Sequence, residues 1–189
     1  NLGQNSFYRA SDKYPVHVYA KDFDKNGSYD AVPSLYLPSS QQDHTIKEYP
    51  AQVRDDMVKQ MIGFRSKYQN YKLYANATID QMFTPDEMNG VQTVTANSFF
   101  HVLIRNNGNG HFEMVNLPDE AQFSCLNGMV ADDIDGDGLL DLLAAGNDYG
   151  TEVAVGRYDA CSGLVLKGNG KGDFSSLSML QSGLFIPGN

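Results

Sequence analysis

Asp133-Ile134-Asp135-Gly136-Asp137-Gly138-Leu139-Leu140-Asp141 is the stretch that says most about this chain, and residues 22–30 repeat its pattern. The earlier copy reads Asp22-Phe23-Asp24-Lys25-Asn26-Gly27-Ser28-Tyr29-Asp30, so both copies fit D-x-D-x-[DN]-G-x-x-D. Oxygen-bearing side chains at alternate positions, around a glycine that permits a sharp turn, are typical of loops that wrap calcium. Carboxylates crowded into nine residues also repel one another unless a cation lies among them. We therefore predict one calcium site in the first loop (residues 22–30) and one in the second loop (residues 133–141).

The predicted ligands of each ion are the side chains at positions one, three, five and nine and the backbone carbonyl at position seven. They are Asp22, Asp24, Asn26, Asp30 and the Ser28 carbonyl in the first loop, and Asp133, Asp135, Asp137, Asp141 and the Leu139 carbonyl in the second. Because ligand charge tunes calcium affinity and Asn26 replaces a carboxylate, we expect the second site to bind more tightly. The alternative is a pair of metal-free acidic turns, since Asp, Asn and Gly dominate turns in general.

Neither loop has the spacing of an EF-hand, in which the twelfth position is a bidentate Glu and helices lie on both sides. The twelfth residues here are Pro33 and Ala144, and the ring of ligands closes at the ninth position instead. The flanks predict strands, because residues 16–20 alternate and short apolar runs surround the second loop. We therefore expect both loops to lie in β-hairpins.

A second signature, N-G-x-G-x-F, follows each loop and makes the chain a two-unit repeat. It occupies residues 107–112 and 169–174, where glycines suit tight hairpin turns and each Phe is expected to open a strand and bury its ring. The first unit is 49 residues longer than the second, with 90 residues from Asp22 to Phe112 against 41 from Asp133 to Phe174. The surplus matches residues 40–90, where glycine becomes scarce.

Residues 40–90 are expected to form a helical insertion in an otherwise β repeat. Apolar residues recur there at steps of three and four, which predicts one helix face made of Val53, Met57, Met61, Phe64 and Tyr68. Residues 84–87 have a capping-box pattern with proline at the first helical position, and Asn89-Gly90 is expected to end that helix. The predicted fold class is all-β with a helical insertion.

The composition narrows the class of protein. The 23 acidic and 14 basic residues give a net charge of −9, which disfavours nucleic acid and anionic membranes as partners. No run approaches the roughly 18 apolar residues of a membrane span. The four histidines lack zinc-binding spacing and no nucleophile motif is present, so we expect no enzyme. Cys125 and Cys161 are either one disulfide or two buried free thiols.

Together, the loops and turns resemble the FG-GAP/VCBS repeats of integrin-like calcium-binding β-propellers. Residues 127–138, which read Asn-Gly-Met-Val-Ala-Asp-Asp-Ile-Asp-Gly-Asp-Gly, are similar to the large secreted VCBS proteins of Bacteroidetes-type bacteria, which are often grouped with the ASPIC/UnbV proteins. Residues 146–152 and 156–159 extend this similarity, and the segment around Arg54–Met61 is similar to an insertion in the same group. The resemblance covers essentially the whole chain.

The resemblance implies four-stranded propeller blades in residues 1–39 and 91–189, with residues 40–90 as the insertion in the first repeat. It also implies two structural calcium ions and a location outside the cell, on the cell surface or in the periplasm. Two blades are too few for a closed propeller, which typically has four to eight. Three alternatives could cover the open sheet edges, namely further blades of a longer chain, a symmetric partner chain in a homo-oligomer, or a packing of the two blades on each other.

We expect a non-enzymatic segment that mediates interaction with a protein or a cell-surface glycan, including adhesion. The candidate ligand surface is a polar loop that contains Asn147, Tyr149, Glu152, Arg157 and Asp159. Its alternative role is a long hairpin held by a pair between Arg157 and either Asp159 or Glu152. Because aromatic and amide side chains suit sugars, the first alternative function is a carbohydrate-binding module. The second is a polysaccharide-degrading propeller enzyme.

Overall fold

A computed structural model describes residues 1–40, 42–151 and 156–187 of the chain. Within these ranges the protein is built mostly of strands in antiparallel sheets, with a few short helices, as the predicted all-β class requires. The strands are β1 (Val16–Lys21), β2 (Asp30–Pro38), β3 (Ile46–Pro50), β4 (Gln92–Ala96), β5 (Val102–Asn106), β6 (Phe112–Asn116), β7 (Gly128–Asp132), β8 (Asp141–Ala145), β9 (Leu164–Gly168) and β10 (Phe174–Leu177). The helices are α1 (Arg54–Gln60), α2 (Phe64–Lys67), α3 (Tyr71–Ala75), α4 (Ile79–Met82), α5 (Pro85–Met88) and α6 (Met179–Ser182), with a 3₁₀ turn at Asp119–Gln122. None of the described helices has the length and apolar character that a membrane crossing requires.

The described strands form two four-stranded sheets and one separate hairpin, and they close no barrel or propeller. One sheet has the order β3-β2-β1-β4, and the other is a simple meander of order β10-β9-β8-β7. All pairings are antiparallel. The hairpin of β5 and β6 pairs with no other described strand. The first loop and the first N-G-x-G-x-F turn therefore lie in different sheets, whereas the second loop and second turn share one.

Contacts within the chain define two compact units, each of which contains one acidic loop. The first-loop unit is Tyr8–Ser98, and the second-loop unit combines Asn1–Phe7 with Phe99–Asn189. In the first-loop unit, helix residues such as Met57 and Met82 pack with Val32 of β2 in one buried cluster. In the second-loop unit, Leu142 of β8 and Leu166 of β9 belong to another. Each four-stranded sheet therefore contributes to the core of its own unit.

The apolar face predicted for one helix is divided between two short helices. Helix α1 ends where Met61 takes an extended conformation (φ −125°, ψ 95°), and α2 begins after Gly63. Met57, Met61, Phe64 and Tyr68 are buried as expected, but Val53 is 51% exposed. The single-helix prediction is therefore wrong, because the extended Met61 interrupts the helical backbone, whereas Gly63 is itself helical (φ −58°, ψ −25°). Val53 precedes the first helical turn, so it lies outside the buried face.

The described part of residues 40–90 forms one strand and five helices. Strand β3 pairs with β2 in the first sheet, with Tyr49 opposite Leu35, and the helices begin only at Arg54. The capping box at the start of α5 forms as predicted: Thr84 Oγ1 accepts from the Glu87 N–H, and the Glu87 carboxylate accepts from the Thr84 N–H at 2.7 Å. Asn89 then ends the helix, and Gly90 takes a positive φ of 76°.

The N-G-x-G-x-F segments form hairpin turns between β5 and β6 and between β9 and β10, and each Phe opens a strand. Phe174 is half-buried against the core of the second-loop unit, as predicted. The prediction for Phe112 is wrong, because its side chain is 65% exposed. Phe112 lies on one face of the β5–β6 hairpin with the exposed residues Ile104 and Met114.

Candidate metal centres

Each acidic loop joins two neighbouring antiparallel strands, so both loops lie in hairpins. The first loop connects β1 to β2 and places Lys21 opposite Asp30. The second connects β7 to β8 and places Asp132 opposite Asp141. In both hairpins the Asp at position nine is thus the first residue of the returning strand, next to the residue from which the loop departs. This pairing brings the two ends of each predicted ligand set together.

The two loops share five hydrogen bonds between equivalent positions. The carboxylate at position one accepts from the N–H of position five (2.9 and 3.0 Å) and from that of position six (2.8 and 2.9 Å). The carboxylate at position three accepts from the N–H of position five at 3.2 Å in both loops. The side chain at position five accepts from the N–H of position seven (2.7 and 2.9 Å), and that at position nine accepts from the N–H of position two (3.0 and 3.1 Å). The loops are therefore two copies of one local structure.

The backbone explains why glycine stands at position six of both loops. Gly27 and Gly138 have φ values of 90° and 86°, in the left-handed region that residues with a Cβ rarely adopt. Position four is also left-handed, with Lys25 at 59° and Gly136 at 78°. Lys25 is one of only two described non-glycine residues with positive φ. The first loop thus keeps the backbone of the second at the expense of some strain.

Three carboxylates converge in each loop. Their oxygens lie within 4.8 Å of one another, in a group formed by Asp22, Asp24 and Asp30 in the first loop and by Asp133, Asp135 and Asp141 in the second. Oxygens that share a calcium ion at about 2.3–2.6 Å lie at most about twice that distance apart. The spacing and the hard oxygen donors therefore fit calcium.

The carboxylate at position nine of each loop is buried, since Asp30 is 3% and Asp141 2% exposed. Burial raises the pKa of Asp30 above its ordinary value, and the nearby charges of Asp24 and Asp22 raise it further against the opposing hydrogen bond from Phe23. In the second loop, Asp141 also accepts from the Gly168 N–H at 2.8 Å. A buried carboxylate among other carboxylates needs a positive charge to balance it.

Positions five and seven complete the predicted ligand sets. The side-chain Oδ1 atoms of Asn26 and Asp137 accept from the N–H groups of Ser28 and Leu139, respectively. This N–H, and then the ammonium of Lys167, lower the pKa of Asp137. Asp137 lies beside the close group of carboxylates instead of within it. The backbone carbonyl oxygens of Ser28 and Leu139 stay predicted ligands.

Lys167 of β9 is the site residue that the sequence did not predict. Its ammonium forms ion pairs with Asp135 and with Asp137, the latter at 3.0 Å. Hydrogen bonds to these two carboxylates raise the pKa of Lys167. The next residue, Gly168, lies so close to the second loop that an added Cβ would overlap the Leu140 carbonyl. No local motif links Lys167 to the second loop, because strand pairing brings the two together.

Only some of the residues predicted for the candidate ligand surface lie at the surface of the structure. Asn147 is 1% exposed, and its side chain binds the backbone of Cys161 through Nδ2 (2.8 Å) and Oδ1 (2.9 Å). It therefore has a structural role and does not reach the surface. Arg157 lies over the Tyr149 ring at 5.1 Å from its centroid, and no ion pair with Asp159 is found among the described residues. Glu152 lies outside the described residues.

A polar cluster in the first sheet was also absent from the sequence predictions. Glu48 of β3 accepts from Tyr19 Oη at 2.9 Å and from Ser34 Oγ at 2.5 Å, and His17 Nδ1 lies 2.7 Å from the same oxygen. Burial first, and then the charge of Glu48, raise the pKa of Tyr19. Three donors on one carboxylate oxygen indicate a structural network.

Cys125 and Cys161 are both free and half-buried, so of the two alternatives the structure has the thiols.

The two hairpin loops remain the best candidate site in the molecule. Comparisons with protein-family models, with curated proteins and with solved structures found no match for this chain.

Proposed function

We propose that the chain is a calcium-binding segment of an extracellular protein, in which one ion stabilises each acidic hairpin. The observation that carries this proposal is the repetition of one arrangement in two sheets. Both loops have the same five hydrogen bonds and three carboxylates within 4.8 Å of one another. Metal-free turns need no such convergence of like charges, which opposes folding unless a cation balances it.

The proposed role of the ions is structural. Each group includes carboxylates from the start of the loop and the buried carboxylate that opens the returning strand. An ion held by both ends would tie two neighbouring strands and remove the repulsion between their charges. Because such an ion binds the folded chain and finds no preformed site in the unfolded one, binding stabilises the fold.

We further propose that the chain belongs with the FG-GAP/VCBS repeat proteins. The support is strongest for the second-loop unit, where β7, β8, β9 and β10 form a four-stranded antiparallel meander like a propeller blade. The second loop and the second N-G-x-G-x-F turn both belong to it. The first sheet has a different order, β3-β2-β1-β4, and gives less support.

The proposed biological role is interaction or adhesion at a cell surface, with a protein or glycan as partner. Rigid loops at the ends of strands are suited to present a binding surface. A glycan array probed with and without calcium would separate sugar recognition from binding to a protein. Calcium-dependent retention of a defined glycan would favour the carbohydrate-binding alternative.

Isothermal titration of the metal-free protein with calcium tests the central proposal. We expect two sites, with affinities near the 10⁻⁴–10⁻³ M that is typical of extracellular modules. Saturation at about 100 times the dissociation constant should raise the melting temperature by roughly 5–10 °C per site. The absence of calcium uptake, together with a melting temperature that chelator leaves unchanged, would show that the loops are metal-free turns.

Terbium luminescence assigns the binding to a loop. The chain has no Trp, and Tyr29 occupies position eight of the first loop where the second has Leu140. We expect tyrosine-sensitised terbium emission that excess calcium abolishes. The matched control Tyr29→Leu gives the first loop the residue of the second, and it should remove most of the emission while two calcium sites remain by titration.

A further inference from the structure

Strand β9 places a positive charge at the second loop. Lys167 Nζ contacts Asp135 and lies 3.0 Å from Asp137 Oδ2, so one ammonium joins two of the predicted ligands. The adjacent Gly168 donates its N–H to Asp141 at 2.8 Å. Three of the four acidic side chains of the second loop therefore interact with two consecutive residues of β9.

The first loop has a different cationic surrounding, because Asp24 and Asn26 line one cleft with Arg54, Lys59 and Arg65. The carboxylates of Asp22, Asp24 and Asp30 accept hydrogen bonds from backbone N–H groups of the first loop. The two loops share five internal hydrogen bonds, and the ion pairs of Lys167 distinguish the second loop, as does the Gly136 N–H that donates to Asp133 at 2.8 Å. The ion pairs of Lys167 and the replacement of a carboxylate by Asn26 are both expected to make the two loops take up a cation differently.

We infer that Lys167 is an internal competitor of calcium at the second loop, which an incoming ion must displace from Asp135 and Asp137. This inference rests on the proposed function. A calcium ion is held about 2.3–2.6 Å from its ligand oxygens. An ammonium that stays in contact with the same carboxylates therefore lies a few ångströms from the ion, and the two positive charges repel each other.

Two consequences distinguish this arrangement from a simple acidic loop. The ammonium neutralises part of the charge of the second loop when calcium is absent, so chelator should loosen this loop less than the first. The free energy needed to displace Lys167 also lowers the calcium affinity of the second loop. This cost opposes the higher affinity expected from the four carboxylates of that loop. Lys167 is therefore a residue that sets affinity without being a ligand.

The test uses the full chain with Asp22→Asn and Asp24→Asn, two substitutions that remove the first site. Calcium titration then compares this parent, which keeps Lys167, with the same chain carrying Lys167→Met. We expect Lys167→Met to tighten calcium binding by at least about tenfold, since a unit charge next to a divalent ion is removed. Lys167→Arg, which keeps the charge, should bind like the parent. The matched control is Lys171→Met, because Lys171 is exposed and is not paired with the loop, yet the change in net charge is the same.

Equal affinities of Lys167→Met and its parent would overturn the inference, and so would equal tightening by Lys171→Met. Lys167→Gln is the second variant, since it retains a polar side chain if the methionine disturbs the sheet, and circular dichroism verifies the fold of both. Failure of the proposed function has a different signature, namely no calcium uptake by the unsubstituted chain at either loop. Uptake at both loops without any effect of Lys167 would contradict only the inference.

Discussion

Asp30 shows at the scale of one residue how a nine-residue loop comes to need a cation. Its side chain is 3% exposed and near Asp22 and Asp24, and burial is the main cause of its raised pKa. The folded state therefore holds the Asp30 proton more tightly than the unfolded state does. In the absence of metal, the stability that this group contributes is present at acidic pH and is lost as pH rises through its raised pKa.

Asp30→Asn separates the effect of this charge from the structure of the loop. The amide oxygen still accepts from the Phe23 N–H, which Asp30 binds at 3.0 Å. In chelator at neutral pH we expect an unchanged or higher melting temperature, because a buried charge is removed. Calcium should raise the melting temperature of this variant less than that of the unsubstituted chain, because the first loop no longer contributes.

Thermal melts of Asp30→Asn in chelator and in calcium, at several pH values, check this prediction. Asp43→Asn is the control, since Asp43 belongs to the same unit and its pKa is lowered by hydrogen bonds from Thr45. That control should leave the response to calcium unchanged. A large loss of stability of Asp30→Asn in chelator would contradict the account given for the buried carboxylate.

At the scale of elements, helices α1 and α2 show where local patterns succeed and where they fail. The spacing of Met57, Met61, Phe64 and Tyr68 identified four buried residues correctly. It did not reveal the break at Met61, because the apolar face continues across two helices that pack on one cluster. Periodicity reports which side chains face the core, and it does not report the continuity of the backbone.

Met57→Ala and Val53→Ala form a matched pair that tests this division. Met57 is fully buried, so its truncation should lower the free energy of unfolding by about 2–5 kcal/mol. Val53 is 51% exposed, and its truncation should change that free energy by less than about 0.5 kcal/mol. Urea unfolding in calcium measures both. Similar losses for the two variants would indicate the single continuous helix face instead.

At the scale of the whole molecule, each compact unit contains one acidic loop and one buried cluster, and the two clusters share no residue. We therefore expect the effect of each calcium site to be confined mainly to its own unit. Asp22→Ala should reduce hydrogen-exchange protection around Val32 and Met57. Protection around Leu142 and Leu166 should be retained.

Hydrogen exchange with mass spectrometry in saturating calcium measures both regions at once. The reciprocal variant, Asp133→Ala, should reduce protection around Leu142 and Leu166 and leave Val32 and Met57 protected. If either variant removed protection in both units together, the two loops would belong to one cooperative structure, and the local role proposed for each ion would be wrong.

The sequence alone determined the properties that depend on neighbouring residues. Local hydrogen bonding, and the conformations that Gly, Asn and Pro allow, explain three such properties. They are the ligand spacing within each nine-residue acidic loop, the strands on both sides of it and the capping box of α5. The tertiary structure decided what depends on pairing between distant segments. It paired β1 with β4, left Phe112 exposed, buried Asn147 and brought Lys167 to the second loop. Strand pairing obeys the packing of whole sheets, which no short stretch of sequence encodes by itself.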